Sequence, residues 1–378
     1  MPTREQFITQ LKSKIGTRVM KIEAVDNDDN VLYLIDDQRV IAGDLNKSGG
    51  KGARRGGSLS FDNEDDIFTP AYNGLVWGRK RLRISTGMLI DADNGNPYYY
   101  SHGTFVMGNV RPSSKESSEV EVDLLDKYNL LDGEFGGTTD GSVTIDVGTS
   151  ISDAVQAVLT LAGETKAPII YPTAVTLPYT ITKEAGSTYS EILEELADML
   201  SWTCYYDNDG YFRFEPEPSL DTQASVWSFD VGDPQEATIL SSESDIQFTN
   251  MANNIVVIGD SVNDVTVRAV ATDNSTGRGF GVSEIGVITR VISDSLIYNI
   301  SLAQQRADAE LNLGVLSPES IDLSIIHVDI LEGEHIIELT NEKLGITTPQ
   351  RYKIGSLSFP LMVSGDMSVS ASRERTLS

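Results

Sequence analysis

The sequence predicts a β-rich α+β protein in which two β-barrel-like domains flank a small α+β domain. Three observations carry this: a long series of short alternating segments before residue 130, two amphipathic helices with an aromatic hairpin between 150 and 216, and a second alternating series after 250 interrupted by one helix. At 378 residues the chain exceeds the length over which one core keeps growing. The composition breaks place the domains at 1–130, 141–235 and 236–378.

The first element is a short helix. Thr3 and Gln6 have the spacing of a capping box, and Phe7, Ile8, Leu11 and Ile15 form one apolar side before Gly16 closes it. Strand patterns then run from Arg18 to Asp126. They are Val19 to Val25, Val31 to Ile35, Ser58 to Phe61, Arg79 to Ser85, Gly103 to Gly108 and Val120 to Leu124, separated by Gly, Asn and Pro. Leu130 to Gly141, rich in Gly, Asp and Thr, reads as a boundary.

Beyond it, Val143 to Val147 is extended. A helix starts at Ser150 or Ser152, with Ala154, Val155, Val158, Leu159 and Ala162 on one face and Gly163 at its end. Extended segments at Ile169 to Tyr171 and Tyr179 to Ile181 lead to a second capping box, Thr188 with Glu191. The helix it opens carries Ile192, Leu193, Leu196, Met199 and Leu200 on one side and ends at Ser201. Trp202 to Tyr206, the Asp207-Asn-Asp-Gly210 turn and Tyr211 to Phe214 make a hairpin, stopped by Pro216.

After a polar stretch near Pro234, strands return at Ile255 to Ile258, Val265 to Val270 and Val287 to Ile292. Ser301 with Gln304 spells a third capping box, opening a helix through Leu302, Ala303, Ala307 and Leu311 to Gly314. Ile321 to Ile325, Glu334 to Leu339, Tyr352 to Phe359 and the Met367, Val369, Ala371 alternation complete the pattern.

Composition narrows the function. Twenty-nine Lys and Arg face 56 Asp and Glu, a net charge of −27, which disfavours general nucleic-acid affinity because that rests on cations neutralising phosphates. It suits a surface past which DNA must slide without sticking. No run approaches the ~18 apolar residues of a membrane helix, and the first residues, with Arg4, Glu5 and Lys12 among few apolar ones, do not read as a signal peptide. A single cysteine, Cys204, forbids an intrachain disulfide and reads as core packing.

Motifs for chemistry are lacking. Lys47-Ser-Gly-Gly-Lys-Gly-Ala-Arg-Arg-Gly-Gly57 fails as a phosphate loop, since Lys51 is followed by Gly52 rather than a hydroxyl residue. It reads as a mobile basic loop or as a docking site for an acidic neighbour, with Lys47, Lys51, Arg54 and Arg55 as partner contacts; Arg79, Lys80, Arg81 and Arg83 form a second basic cluster. His102, His327 and His335 share no ligand spacing, so no metal site, cofactor site or catalytic residue is assigned. Asp26, Asp28, Asn30 and Asp37 imitate a calcium loop, yet Val31 stands where that loop needs glycine; a hairpin turn is expected, and Asp91, Asp93 and Gly95 read the same way. A pair of acids on distant strands would leave no local signature, so a glycan hydrolase stays open on these grounds. Tyr98, Tyr99 and Tyr100 suggest either a sugar-stacking platform or a strand face.

The order of segments resembles the tail hub (baseplate hub) proteins of tailed bacteriophages. Three passages carry the resemblance. The first is Gly43-Asp-Leu45 through Leu59-Ser-Phe-Asp-Asn63 and Phe68-Thr-Pro70, then Gly103 to Val106 and Val120 to Asp126. The second is Ile151 to Leu159 with Ser190 to Trp202 and the Tyr205 to Phe214 hairpin. The third is Ala303 to Leu311, Ile321 to Asp329, Glu332 to His335 and Tyr352 to Gly355.

The resemblance implies a structural virion protein, not an enzyme: a homotrimeric hub at the distal end of the tail tube, with two related β-barrels per subunit. Three such subunits would adapt a hexameric tube to trimeric spike or tip parts and line the DNA exit channel. It implies tube, distal-tail and spike proteins as partners, passage of DNA without specific binding, and assembly in the host cytoplasm. The sequence ends soon after its last strand pattern, at Ser378, so any lytic or spike activity is expected to reside in another protein. A tail-tip carbohydrate- or receptor-binding protein and a cell-wall glycan hydrolase are the alternatives.

Overall fold

The computed structural model describes residues 2–12, 16–72, 74–91, 95–114, 118–200, 202–220, 222–232, 238–246, 252–262, 265–276, 281–294, 297, 299–314, 316–362 and 365–376. The chain is β-rich α+β, with 48% of residues in strands and 18% in helices. It divides into two compact units, 1–242 with 323–370, and 243–322 with 371–378.

In the first unit, alternating apolar residues build one continuous sheet path. Its order is Ile346–Pro360, Val40–Ser48, Arg55–Asp62, Ser118–Asp126, Asn96–Ser114, Arg81–Asp91, Arg18–Val25 and Val31–Ile35, each antiparallel to the next. Ile336–Asn341 branches onto Ile346–Pro360 and pairs on its other side with Trp227–Asp230 in parallel. No sheet closes on itself among the described residues, so the expected barrels are open sheets: Val31–Ile35 pairs only with Arg18–Val25. Lys47, expected in a loop, lies in a strand, and the loop shrinks to 49–54.

The helix-and-hairpin module carries its own core. Ser150 caps helix Ile151–Leu161 by accepting from the Asp153 amide at 3.1 Å. Thr188 and Glu191 form the expected reciprocal box at 3.2 and 3.4 Å ahead of helix Tyr189–Leu200. Strands Trp202–Tyr206 and Phe212–Pro216 pair across a turn in which Gly210 has φ +76°, a conformation that favours glycine. Ile192, Leu193 and Leu196 pack with Val155, Val158, Cys204 and Phe214 in one buried cluster.

Thr3 and Gln6 also form their box, at 2.8 and 3.3 Å, and helix Arg4–Lys12 buries Phe7 and Leu11; Ile15 lies outside the described residues. So do Asp93, Ser201, Pro234, the 235/236 boundary and Ser378. The Asp26 carboxylate accepts the Asp28 and Asn30 amides at 2.9 Å each, which makes the calcium-like stretch a hairpin turn.

In the second unit, Val265–Thr272, Asn254–Val262 and Thr289–Ser293 form a three-stranded sheet. Ala303 and Ala307 of helix Ile300–Gly314 pack on Ile255, Val257, Val267 and Ala269. The cap of this helix is Asn299, whose side chain accepts the Leu302 amide at 2.8 Å, so the Ser301–Gln304 box does not form. Asn299 offers a carbonyl oxygen two residues earlier, leaving Ser301 inside the helix and Gln304 to donate to Asp308 at 2.9 Å.

Candidate functional site

The chemistry-bearing side chains of the first unit converge on a buried polar cluster. Alternation along Val40–Ser48 turns Leu45 and Lys47 inward. A buried ammonium is tolerated only with a partner, and Lys47 has one in Glu332: its Nζ donates to Glu332 Oε1 and to His102 Nδ1 at 2.9 Å. Arg55 approaches the other Glu332 oxygen at 3.2 Å and donates to Asn208 at 2.6 Å. Asn208 donates to Glu332 at 3.0 Å and to the Tyr100 hydroxyl at 2.7 Å.

Burial opposes ionisation of Glu332, yet Lys47 and Arg55 outweigh it and hold the carboxyl below its usual range. Burial likewise lowers Lys47, against the pull of Glu332. Gly333 makes this approach feasible, because a Cβ there would lie 2.1 Å from the Ser48 carbonyl oxygen.

A second chain of contacts continues from His102. Its Nε2 lies 2.6 Å from Thr86 Oγ1, and Thr86 donates to Asp329. Arg18 meets both Asp329 oxygens at 3.4 Å, and His327 Nε2 lies 3.5 Å from Asp329 Oδ1. Burial pushes His102 well below the usual histidine range, with Lys47 adding to the effect. It pushes His327 down to about 3 although Asp329 opposes.

Thr86, His102 and Asp329 are the residue types of a hydrolytic triad, in the wrong order. A triad needs the acid on the histidine nitrogen away from the nucleophile; here Lys47 occupies that nitrogen and Asp329 sits on the hydroxyl. His102, His327 and Asp329 also have the composition of a metal site. The Lys47 contact, however, directs the His102 proton to Nε2, and the Thr86 hydroxyl takes the position between ring and carboxylate that an ion would need. The group is a hydrogen-bond chain that joins strands.

Glu332, Arg55 and Asn208 also line a cleft of about 260 Å³ with Arg54, Tyr205 and Arg213. Three of its acids are engaged: Asp207 with Arg213 at 2.7 Å, Glu334 with Lys353 at 3.1 Å, and Glu215 with the Tyr205 hydroxyl at 2.6 Å. A glycosidase acid needs a raised pKa, and Glu332 has the opposite shift.

Of the four residues expected as partner contacts, Lys47, Arg54 and Arg55 are buried within the subunit. Arg54 stacks on Tyr205 with its guanidinium carbon 3.5 Å from the ring centre and donates to Thr203 at 2.9 Å. Lys51 stands at the surface and pairs with the exposed Asp198. In the second basic cluster, Arg81 and Arg83 donate to the Asn27 and Asp29 carbonyls at 2.7 Å each and brace that turn. The three tyrosines make no open platform: Tyr98 stacks on Phe7 at 4.7 Å, Tyr99 lies under Lys21, and Tyr100 faces the cluster.

The fold is that of phage tail proteins. The tail protein from Neisseria meningitidis superposes with a TM-score of 0.59 at 12% identity, covering 95% of this chain and 96% of that one. The 43 kDa tail protein of prophage MuSo2 from Shewanella oneidensis gives 0.62 at 14% identity, covering 94% and 98%. A chain of the Francisella PdpA–VgrG complex gives 0.55 at 9% identity, covering 99% of this chain and 61% of that one. No family model matches the sequence, and no curated protein matches it.

Proposed function

We propose that the chain is a structural, non-enzymatic subunit of a phage tail tip: a homotrimeric hub at the distal end of the tail tube. The observation that carries this is the co-extensive fold, which runs over 94% of this chain and 98% of a prophage tail protein. The hub joins a hexameric tube to trimeric spike or tip parts, with distal-tail proteins as further partners. Domains 1–130, 141–235 and 236–378 serve as its modules. DNA leaves through its centre without specific binding, in keeping with the −27 charge. Assembled in the host cytoplasm, the subunit ends in the virion. Lys51, half-buried and paired with the exposed Asp198, is the member of the basic set nearest the surface for a neighbour.

Light scattering on the purified chain tests this. A mass near three times 41.2 kDa is expected, and electron microscopy of that species should show a ring with an open centre. A monomer at all concentrations, with no binding to tube or spike protein, refutes it.

A further inference from the structure

The helix-and-hairpin module of the first unit keeps its apolar core to itself. Among the described residues, the buried members of that core lie between Tyr128 and Phe214, and none comes from a strand of the large sheet.

Polar groups join the module to the sheet. Near the start of strand Trp202–Tyr206, Arg54 donates to the Thr203 hydroxyl at 2.9 Å, and Thr203 donates to the Gly50 carbonyl at 3.1 Å. Beyond the strand's other end, Lys166 meets Asp29 at 2.6 Å. Lys127 meets Glu164 at 3.0 Å and donates to the Gly210 carbonyl at 3.2 Å. Between the two, Arg55 donates to the Tyr206 carbonyl and to Asn208. The fit is incomplete: Asp29 Oδ1 and Thr104 Oγ1 are buried without a hydrogen-bond partner among the described residues. Both side chains face Gly210, where a Cβ would stand 2.9 Å from Asp29 Oδ2 and 3.5 Å from Thr104 Oγ1.

We propose that residues 128–214 move as one body, undocking from the sheet while their own core stays closed. Interfaces between bodies of one chain hold still when they are large and apolar, and this one is built from charges and hydrogen bonds. Opening it returns those charges to water, which offsets much of the attraction lost. Water also satisfies Asp29 and Thr104, whose missing bonds oppose docking. The apolar cluster, the costly part to expose, remains covered by its own helices and hairpin. The motion belongs to the single chain and does not depend on the number of subunits.

Cysteine accessibility in the intact chain tests this. Alternation along Trp202–Tyr206 puts Thr203 on the seam and Cys204 in the module core, which makes Cys204 an internal control. Thr104→Cys adds a thiol on the sheet side without removing a hydrogen bond, and Thr203→Cys adds one on the module side. Thr104 and Thr203 are 6% and 1% exposed, so a disulfide reagent reaches either position only through an opening. Without denaturant each added thiol should react while Cys204 stays unmodified, the site being located by mass spectrometry. Lys166→Met leaves buried Asp29 with only Lys127, 3.9 Å away. It should speed both reactions by about tenfold, including that of Thr203→Cys at the far end of the strand. If either thiol stays silent until urea also releases Cys204, the seam opens only with unfolding and the proposal is overturned. Cys204 reacting beside them under native conditions overturns it as well, because the module then unfolds instead of moving whole. An acceleration that is absent, or confined to Thr104→Cys, denies motion as one body and overturns it too.

Discussion

Neutralising Glu332 isolates what the buried cluster contributes. Glu332→Gln keeps the shape but turns one acceptor oxygen into an NH2 donor, and it leaves Lys47 and Arg55 without the carboxylate they share. Removing one member of a buried ion pair costs about 3–5 kcal/mol, because the remaining charge stays out of water. Lys47→Met should cost less, since Glu332 retains Arg55 at 3.2 Å and Asn208 at 3.0 Å. Trp77, Trp202 and Trp227 all lie in the first unit, so tryptophan fluorescence follows its unfolding alone. With a urea slope of about 3 kcal/mol per molar, the Glu332→Gln midpoint should fall by about 1–1.7 M. A fall below about 0.3 M, or a larger effect from Lys47→Met, would refute the assignment of Glu332 as the shared counter-ion.

Acid should weaken the first unit through its histidines. Their folded pKa values lie below the unfolded value of about 6.5, so the stability they permit is complete above that pH. It is lost as pH falls, until His327 itself protonates near 3. The slope is about 1.4 kcal/mol per pH unit for each histidine, and urea midpoints at about pH 7.5 and 5 should differ in the wild type and differ less in His327→Asn. Cys204 is buried, and burial pushes its thiol up to about 11, so a disulfide reagent at about pH 8, below even the ordinary thiol range, should react only after unfolding. Asn299→Ala should destabilise helix Ile300–Gly314 by about 0.5–2 kcal/mol, and Ser301→Ala by much less, as read by circular dichroism.

Sequence signals are legible where the physics is local. The boxes at Thr3 and Thr188, the Ser150 cap and the Asp207–Gly210 turn depend on residues within four positions of one another, and each forms. The Asn299 cap is masked because Ser301-x-x-Gln304 carries the same signal two residues later, and geometry chooses the earlier oxygen. The buried cluster is not legible at all. Hydropathy places Lys47 and Arg55 at the surface, while the acid that draws them inward stands at position 332. His102 and His327 likewise meet only because strand Asn96–Ser114 and the segment after Ile325 come to one place. The resemblance read from the sequence rests on the order of elements, and the fold is shared with tail proteins at 12% and 14% identity.

The Lys47–Glu332 contact joins residues 285 positions apart. A ribosome adding about 5–20 residues each second needs roughly 15–60 s to travel that distance. For that interval the nascent Val40–Ser48 strand holds a lysine on its inward face with no Glu332 to meet it. The sheet around it can reach its final packing only near the end of synthesis, so a chain truncated before Glu332 is a natural substrate for proteases.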